Sequence, residues 1–208
     1  MAAALLTDDE KDALQELMNI SFGIASSIIS DSLHSFSKMP LPKIDAMEID
    51  ELEGYFARNF NGITDCYIVT QLFRNKFDGE SVFVIDDISA EKISALLLEE
   101  EGDLSKEDIQ SSVLELTNII SSACIGKLIE LLDAQIFFNP PMIESSCRVG
   151  ESVLRLSKKE NMEFTKVIII ETKLEFETEQ ITGYLLFLTK ESSFAWLKTA
   201  LGKFLEDI

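Results

Sequence analysis

The chain has 208 residues, of which 46% are apolar, so it can bury the core of one large domain or two small ones. It carries 37 acidic and 18 basic residues, and the formal charge of -19 opposes binding to nucleic acid or to an anionic membrane surface. No secretory signal or membrane-spanning run is recognisable, and the three cysteines show no paired spacing. These features predict a globular protein in the reducing environment of the cytoplasm.

The first predicted helix begins at Thr7-x-x-Glu10, where a hydroxyl can cap the first turn and an acid lies near the positive end of the helix dipole. Its predicted buried stripe consists of Leu14, Leu17, Ile24 and Ile28. Asp12, Glu16 and Asn19 are spaced four and then three residues apart. This spacing places them together opposite the stripe, because each residue advances a helix by about 100°. The sequence therefore predicts one short polar ridge on this helix.

Two prolines, Pro40 and Pro42, follow the helix, and the sequence after them becomes typical of β-strands. The predicted elements are a strand between Ile44 and Phe56, a hairpin of Cys66 to Phe73 and Ser81 to Ile85, and a closing helix from Ser89 to Leu98. The first half of the chain is thus predicted to contain a helix, strands and a second helix, in that order.

The same order recurs in the second half. A helix starts at Ser105-x-x-Asp108 and carries Ser111, Glu115 and Asn118 at the spacing of the first triplet, about a hundred residues later. Its predicted stripe consists of Val113, Leu116, Ile120 and Ala123. After Pro140 and Pro141, the predicted elements are a strand between Met142 and Leu156, a hairpin of Lys166 to Phe176 and Ile181 to Leu188, and a closing helix from Ser192 to Leu201.

The link between the halves, Glu99 to Leu104, is short and acidic, and no Gly/Ser-rich or Pro-rich linker separates them. We therefore predict a single α/β domain over residues 1–208, built from two pseudo-symmetric helix-strands-helix halves, about 1–104 and 105–208. The halves are expected to share one mainly antiparallel sheet. The two long helices that carry the repeated triplet are expected on one face of that sheet.

One [D/S]-x-x-x-E-x-x-N triplet alone is typical of a solvated, acidic helix face. Two copies in register within a duplicated fold favour a surface that contacts a partner. Other chemistry has little support, since His34 is the only histidine and the sequence contains neither a phosphate-binding P-loop nor a Gly-x-Ser-x-Gly nucleophile motif. The repeated ridge is therefore the candidate site.

The repeated triplet and the stretches that follow it resemble the motif of the CheC, CheX and FliY phosphatases of bacterial chemotaxis. These stretches are Asn19-Ile20-Ser21-Phe22-Gly23 and Asn118-Ile119-Ile120-Ser121-Ser122. Proteins of the CheC type carry the motif twice, on two long helices of one pseudo-symmetric α/β domain. Two copies within about 200 residues therefore match the CheC type, and the resemblance covers nearly the whole chain.

The resemblance implies a phosphatase that hydrolyses the phospho-aspartate of a CheY-like response regulator. The residues implied are Asn19 and Asn118, which would orient the attacking water, Glu16 and Glu115, which would contact the receiver's lysine, and Asp12 and Ser111 in a supporting role. No cofactor of its own is implied, because the Mg²⁺ would be bound by the partner receiver domain.

Two alternatives stay open at this point. The chain is alternatively a non-catalytic receiver-binding or flagellar-switch module, similar to the FliM-type proteins, which share the fold but lack the Glu/Asn pair. CheC-type proteins can also bind a CheD-like deamidase, which would give this chain a second, regulatory partner. The presence of both Glu/Asn pairs favours the phosphatase.

Overall fold

Two antiparallel hairpins form the centre of the computed structural model, which describes residues 6–60, 63, 65–99, 103–146 and 166–206. The strands are β1 (Lys43–Glu48), β2 (Cys66–Asn75), β3 (Gly79–Asp86), β4 (Ile136–Phe138), β5 (Met142–Ser146), β6 (Lys166–Phe176) and β7 (Ile181–Lys190). The helices are α1 (Asp8–Leu33), α2 (Leu52–Asn59), α3 (Asp87–Leu98), α4 (Lys106–Leu131) and α5 (Phe194–Glu206).

The two halves of the chain exchange strands within one sheet. The strand order is β1-β6-β7-β3-β2, with β4 and β5 both paired to β2. At the centre, β3 of the first half pairs antiparallel with β7 of the second. At the two sides, β1 pairs with β6 and β5 pairs with β2, so each half supplies a strand to the other. The predicted α/β fold with one shared, mainly antiparallel sheet is confirmed.

Successive side chains of each strand point to opposite faces of the sheet, and both faces are buried. On one face, Phe83 and Phe187 join residues of α1, α3, α4 and α5 in the larger core, and α1 packs directly against α4. On the other face, Val84 and Ile169 join Phe56 of α2 in a smaller core. Both motif-bearing helices therefore lie on the same face of the sheet, as predicted.

Side-chain caps set the beginning of both long helices. The Oγ1 atom of Thr7 accepts a hydrogen bond from the Glu10 amide at 3.2 Å, while the Glu10 carboxylate accepts one from the Thr7 amide at 2.8 Å. At α4, the Oγ atom of Ser105 accepts from the Asp108 amide at 3.1 Å. The first helix ends at Leu33, and the residue that caps it, His34, has a left-handed backbone with φ of 50°. Both predicted helix starts are thus confirmed.

The predicted buried stripe of α1 is wrong in its second part. Leu14 and Leu17 are fully buried, but Ile24 and Ile28 are 37% and 42% exposed. Beyond Phe22 the buried stripe instead runs through residues four apart, namely Ala25, Ile29 and Leu33. A spacing of four exceeds the helical repeat of 3.6, so the stripe turns progressively around the helix and leaves the two isoleucines on the solvent side. On α4, Val113, Leu116 and Ile120 are buried as predicted, whereas Ala123 is only partly buried and the next residue, Cys124, is fully buried.

The stretch from Ile44 to Phe56, expected to contain a strand, also contains a helix. β1 ends at Glu48, and α2 follows after a turn of 3₁₀ helix. Leu52, Tyr55 and Phe56 of α2 are buried, and their spacing of three and four residues is that of a helix face. In the second half, the stretch predicted from Met142 to Leu156 gives β5 over its first part, while residues 147–156 lie outside the described chain.

The long helix α4 has the length and mean hydropathy of a membrane-spanning segment. More than half of the relevant stretch, 56%, is buried inside the protein. The apolar residues of α4 are therefore explained by its position as a core helix between the sheet and its neighbours.

The close packing around Gly79 predicts that Gly79→Ala destabilises the fold. An added Cβ atom would lie 2.4 Å from the Leu188 carbonyl oxygen and 2.5 Å from Cζ of Phe73, so the central strands would have to separate. We expect the free energy of unfolding to fall by about 2 kcal/mol or more in urea titrations. Gly202→Ala in α5 is the control, because its Cβ meets nothing within 4 Å and should add about 0.5–1 kcal/mol of helix stability. Equal urea midpoints of unfolding for the two variants would show that the packing around Gly79 is not close enough to exclude a Cβ atom.

Candidate functional site

The first polar ridge lies on the solvent side of α1. Asp12, Glu16 and Asn19 are all exposed, while Leu17 and Met18 between them are fully buried. None of the three polar side chains makes a hydrogen bond or an ion pair with any described residue. The fold therefore leaves the carboxylate and the carboxamide free to contact another molecule.

The second ridge occupies the corresponding side of α4. Ser111, Glu115 and Asn118 are exposed, and Leu116 and Thr117 between them are buried. The structure thus brings each predicted triplet together on one helix, in the arrangement that the spacing of four and three predicted. Because α1 and α4 pack against each other on one face of the sheet, both ridges belong to the outer surface of the same helical layer.

The two ridges differ in how the asparagine is held. The Nε2 atom of Gln71, on β2, donates hydrogen bonds to Oδ1 of Asn118 at 2.8 Å and to the carbonyl oxygen of Asn139 at 3.0 Å. A backbone carbonyl can only accept, which identifies the Gln71 atom between the two oxygens as the amide nitrogen. The Asn118 atom that faces it must then be the oxygen. The amide nitrogen of Asn118 is consequently turned away from Gln71.

An open depression of about 390 Å³ adjoins the second ridge. It is lined by Gln71, Leu114, Glu115, Asn118, Phe138, Asn139, Pro140 and Pro141. One wall is α4, the other is the proline-containing segment between β4 and β5, and Gln71 of the sheet contributes to the lining. Both members of the predicted Glu115/Asn118 pair therefore line a surface hollow that a protruding part of a partner can enter.

In the first half, different side chains connect the motif helix and the sheet to the proline segment. Nε2 of Gln15 on α1 donates to the carbonyl oxygen of Pro42 at 2.8 Å. The Oγ1 atom of Thr172 on β6 donates to the carbonyl oxygen of Pro40 at 2.9 Å. Neither side chain hydrogen-bonds to Asn19. The environment of Asn19 is thus less constrained than that of Asn118.

Sequence reasoning did not identify Gln71 or Gln15 as part of the site. Gln71 carried one usable signal, because it is a carboxamide inside a largely apolar predicted strand, and it is only 2% exposed. The contact itself depends on the pairing of distant elements, which the sequence of a single chain does not specify. The cysteine on the second motif helix, Cys124, is fully buried, and this burial raises the pKa of its thiol.

Among the described residues, no three His, Cys, Asp or Glu side chains lie close enough to hold a metal ion. The chemistry that the site offers consists of two carboxylates and two carboxamides. These groups can orient a water molecule, accept hydrogen bonds and pair with a cation.

Comparisons with known proteins agree with this geometry. The model of the CheC-like family matches residues 10–36, which contain the first ridge. No curated protein sequence matches the chain significantly. Many solved structures share the fold. The first example is Thermotoga maritima FliY, with 20% sequence identity and a TM-score of 0.69 over 96% of this chain and 99% of that one.

The second is the FliM middle domain from H. pylori, with 13% identity and a TM-score of 0.63 over 94% and 99% of the two chains. The third is the chemotaxis protein CheX from Desulfovibrio desulfuricans, with 12% identity and a TM-score of 0.55 over 84% and 99%. The family match and the fold together support the resemblance to CheC-type proteins that the repeated motif predicted.

The unequal anchoring of the two asparagines predicts unequal costs for removing them. Asn19→Ala removes a side chain that makes no hydrogen bond or ion pair with any described residue. The free energy of unfolding should therefore change by no more than about 0.5 kcal/mol. Asn118→Ala removes an acceptor of the buried Gln71 amide and should cost about 1 kcal/mol more than Asn19→Ala. Both substitutions change helix propensity equally, so the difference isolates the hydrogen bond. Equal unfolding free energies would show that the Gln71–Asn118 contact contributes nothing.

Proposed function

We propose that this CheC-type protein is a phosphatase that hydrolyses the phospho-aspartate of a CheY-like response regulator. The coarser assignment, a protein of chemotaxis or of the flagellar switch, is supported by the CheC-like family match and by the likeness to FliY and FliM. The observation that carries the finer proposal is the exposure of the same Glu/Asn pair on both long helices, where the fold makes little use of it.

The carboxamide is suited to the chemical step. In hydrolysis, the oxygen of water forms a bond to phosphorus, and the bond from phosphorus to the aspartate oxygen breaks and leaves its electron pair on the carboxylate. Asn19 or Asn118 would accept a hydrogen bond from the water and hold it in line with the breaking bond. A neutral amide can do this without adding negative charge beside the phosphoryl group. The proton that the water loses ends on the phosphate product.

The acidic residues are suited to holding the receiver in register. Glu16 and Glu115 lie one helical turn before the asparagines on the same ridge, so each would pair with a cation beside the phosphorylation site. By the family resemblance, that cation is the receiver's lysine. The net charge of -19 gives no long-range attraction to an acidic receiver surface, so this local ion pair would set the orientation of the complex.

The residues around the two ridges form a surface that is suited to contact with a protein partner. Beside Asn19, Ile20 and Ile24 are 39% and 37% exposed, and Gly23 has open space where a side chain would lie. Beside Asn118 lies the depression lined by the proline segment. An apolar border and a close backbone approach are common in protein interfaces. Asp12 and Ser111 lie at the start of each ridge, where they would support the contact.

The metal in this proposal belongs to the partner. Mg²⁺ bound by the receiver would neutralise the charge of the phosphoryl group, while this chain supplies the water-orienting amide and the carboxylate. Such a reaction takes place where the receiver is, so we expect the protein to act in the cytoplasm.

A second candidate function is a non-catalytic interaction module of the flagellar switch. It is favoured by the fold that this chain shares with the FliM middle domain from H. pylori and with a chain of the FliG–FliM complex from H. pylori. A CheD-like deamidase would be a further partner of a CheC-type protein. Phosphate release from a receiver separates these roles, because a module that only binds would not accelerate it.

The phosphatase proposal predicts that the two asparagines together are required for phosphate release. Asn19→Ala or Asn118→Ala should each leave part of the activity, and the double variant should lose about a hundredfold or more, since each ridge then lacks its water-orienting group. The measurement is phosphate release from a phosphorylated CheY-type receiver encoded in the same genome. Asn59→Ala on α2, at the opposite face of the sheet, is the matched control. Undiminished phosphate release by the folded double variant would contradict the proposal.

The carboxylates should affect receiver binding more than the chemical step. Glu16→Lys combined with Glu115→Lys should raise KM by about tenfold or more, because like charges would then meet at the receiver's lysine. Glu53→Lys on α2 changes the net charge by as much as each ridge substitution does. Because Glu53 lies away from the ridges, this variant should leave KM within about twofold. Equal effects of ridge and control substitutions would mean that only the overall charge matters.

A further inference from the structure

We infer that Gln71 is a positioning residue for Asn118, which makes the second ridge a pre-organised active site and leaves the first without an equivalent anchor. This inference rests on the proposed phosphatase function. It concerns a side chain that is 2% exposed and that acts through the asparagine instead of on the reacting atoms.

Strand register identifies the residue that corresponds to Gln71 in the other half. Ile143 of β5 lies opposite Val69, and Ile44 of β1 lies opposite Ile170 in the same way. Two residues beyond each of these partners are Gln71 and Thr172, respectively.

The hydrogen bonds of the two side chains support the same equivalence. Gln71 donates to the carbonyl oxygen of Asn139, four residues before Ile143, and Thr172 donates to that of Pro40, four residues before Ile44. The two positions are therefore equivalent in both strand pairing and hydrogen bonding.

The chemistry of the two side chains explains why only one of them can hold an asparagine. A threonine hydroxyl has a single proton, and Thr172 directs it to the Pro40 carbonyl oxygen. A glutamine amide nitrogen has two protons, so Gln71 satisfies the equivalent carbonyl and still donates to Asn118. The longer side chain of glutamine also spans the distance from the sheet to the ridge. The first ridge thus has the same connection to its proline segment, but no described residue donates a hydrogen bond to the Asn19 side chain.

Burial makes Gln71 a rigid anchor. Its side chain is 2% exposed, and its Oε1 atom is buried and accepts no hydrogen bond from the described protein. Burying an unpaired amide oxygen is unfavourable, so an apolar residue or a threonine would serve stability at this position as well or better. The amide nitrogen is the part of the side chain with a structural partner on the ridge. The unfavourable burial of the Gln71 amide oxygen is consistent with a residue whose role is to hold Asn118.

The orientation that results is useful for the proposed reaction. With Oδ1 of Asn118 held by Gln71, the amide nitrogen is directed outward, where it can donate to a phosphoryl oxygen or to the water, while Oδ1 keeps a second lone pair for accepting from the water. Holding the group in one rotamer removes an entropic cost from the bound complex. We therefore expect the second ridge to turn over faster than the first.

The test isolates each ridge and then removes the anchor. Asn19→Ala leaves only the second ridge active, and Asn118→Ala leaves only the first. Gln71→Thr is added to each of the two, because it copies Thr172 and can keep the bond to Asn139 while losing the bond to Asn118. Phosphate release should fall about threefold to tenfold in kcat, with KM within about twofold, in the Asn19→Ala background only. Thr172→Val is the matched control at the equivalent buried position and should leave the second ridge unaffected.

A second measurement does not depend on activity. Relaxation of the side-chain ¹⁵N nuclei should show a more ordered amide for Asn118 than for Asn19 in the native chain, and Gln71→Thr should lower the order of Asn118 to that of Asn19. Gln71→Leu provides the same comparison if the threonine variant folds poorly.

Four outcomes can be distinguished. A loss of kcat confined to the second ridge, together with lower order of Asn118, supports the inference. Equal losses at both ridges, or equal order of the two asparagines in the native chain, overturn it. If the native chain accelerates release from no receiver while Asn118 alone is ordered, the proposed function fails but the anchoring by Gln71 stands.

Discussion

The antiparallel pairing of β3 with β7 is the constraint on which the rest of the structure depends. It joins the two hairpins edge to edge, and β1 and β5 then each pair with the hairpin of the opposite half. Because the side strands are exchanged, neither half can complete its sheet alone. The helix that precedes each exchanged strand is brought to the same face, where α1 and α4 pack together. One pairing thus places two copies of the Glu/Asn ridge on a single surface.

The two ridges have similar but not identical surroundings. Each ridge is followed by a proline segment, and each segment is fastened to the sheet by a side chain at the same register position. The identity of that side chain, Gln71 or Thr172, decides whether the asparagine is also held. A small sequence difference inside the sheet therefore changes the surface of the molecule without altering the fold. A difference of this kind gives the two copies of the motif different local environments.

Local patterns allowed much of this to be predicted from sequence. Capping residues and helical spacing gave both ridges and both helix starts, and strand composition gave the two hairpins to within a few residues. Two features were not predictable in this way. Ile24 and Ile28 are exposed because the buried stripe of α1 follows residues four apart, and Gln71 meets Asn118 only because β2 lies beneath α4. Both depend on tertiary packing, which local periodicity does not encode.

The central claim is that both ridges form the surface that meets an activated receiver. The most direct test is a titration of the ¹⁵N-labelled chain with a CheY-type receiver, carried out with and without beryllofluoride as a mimic of the phosphoryl group. The account predicts that the largest spectral changes fall on Glu16, Asn19, Glu115 and Asn118, require beryllofluoride, and saturate at two receivers per chain. Changes centred on α2 at the opposite face of the sheet, or changes indifferent to beryllofluoride, would contradict it.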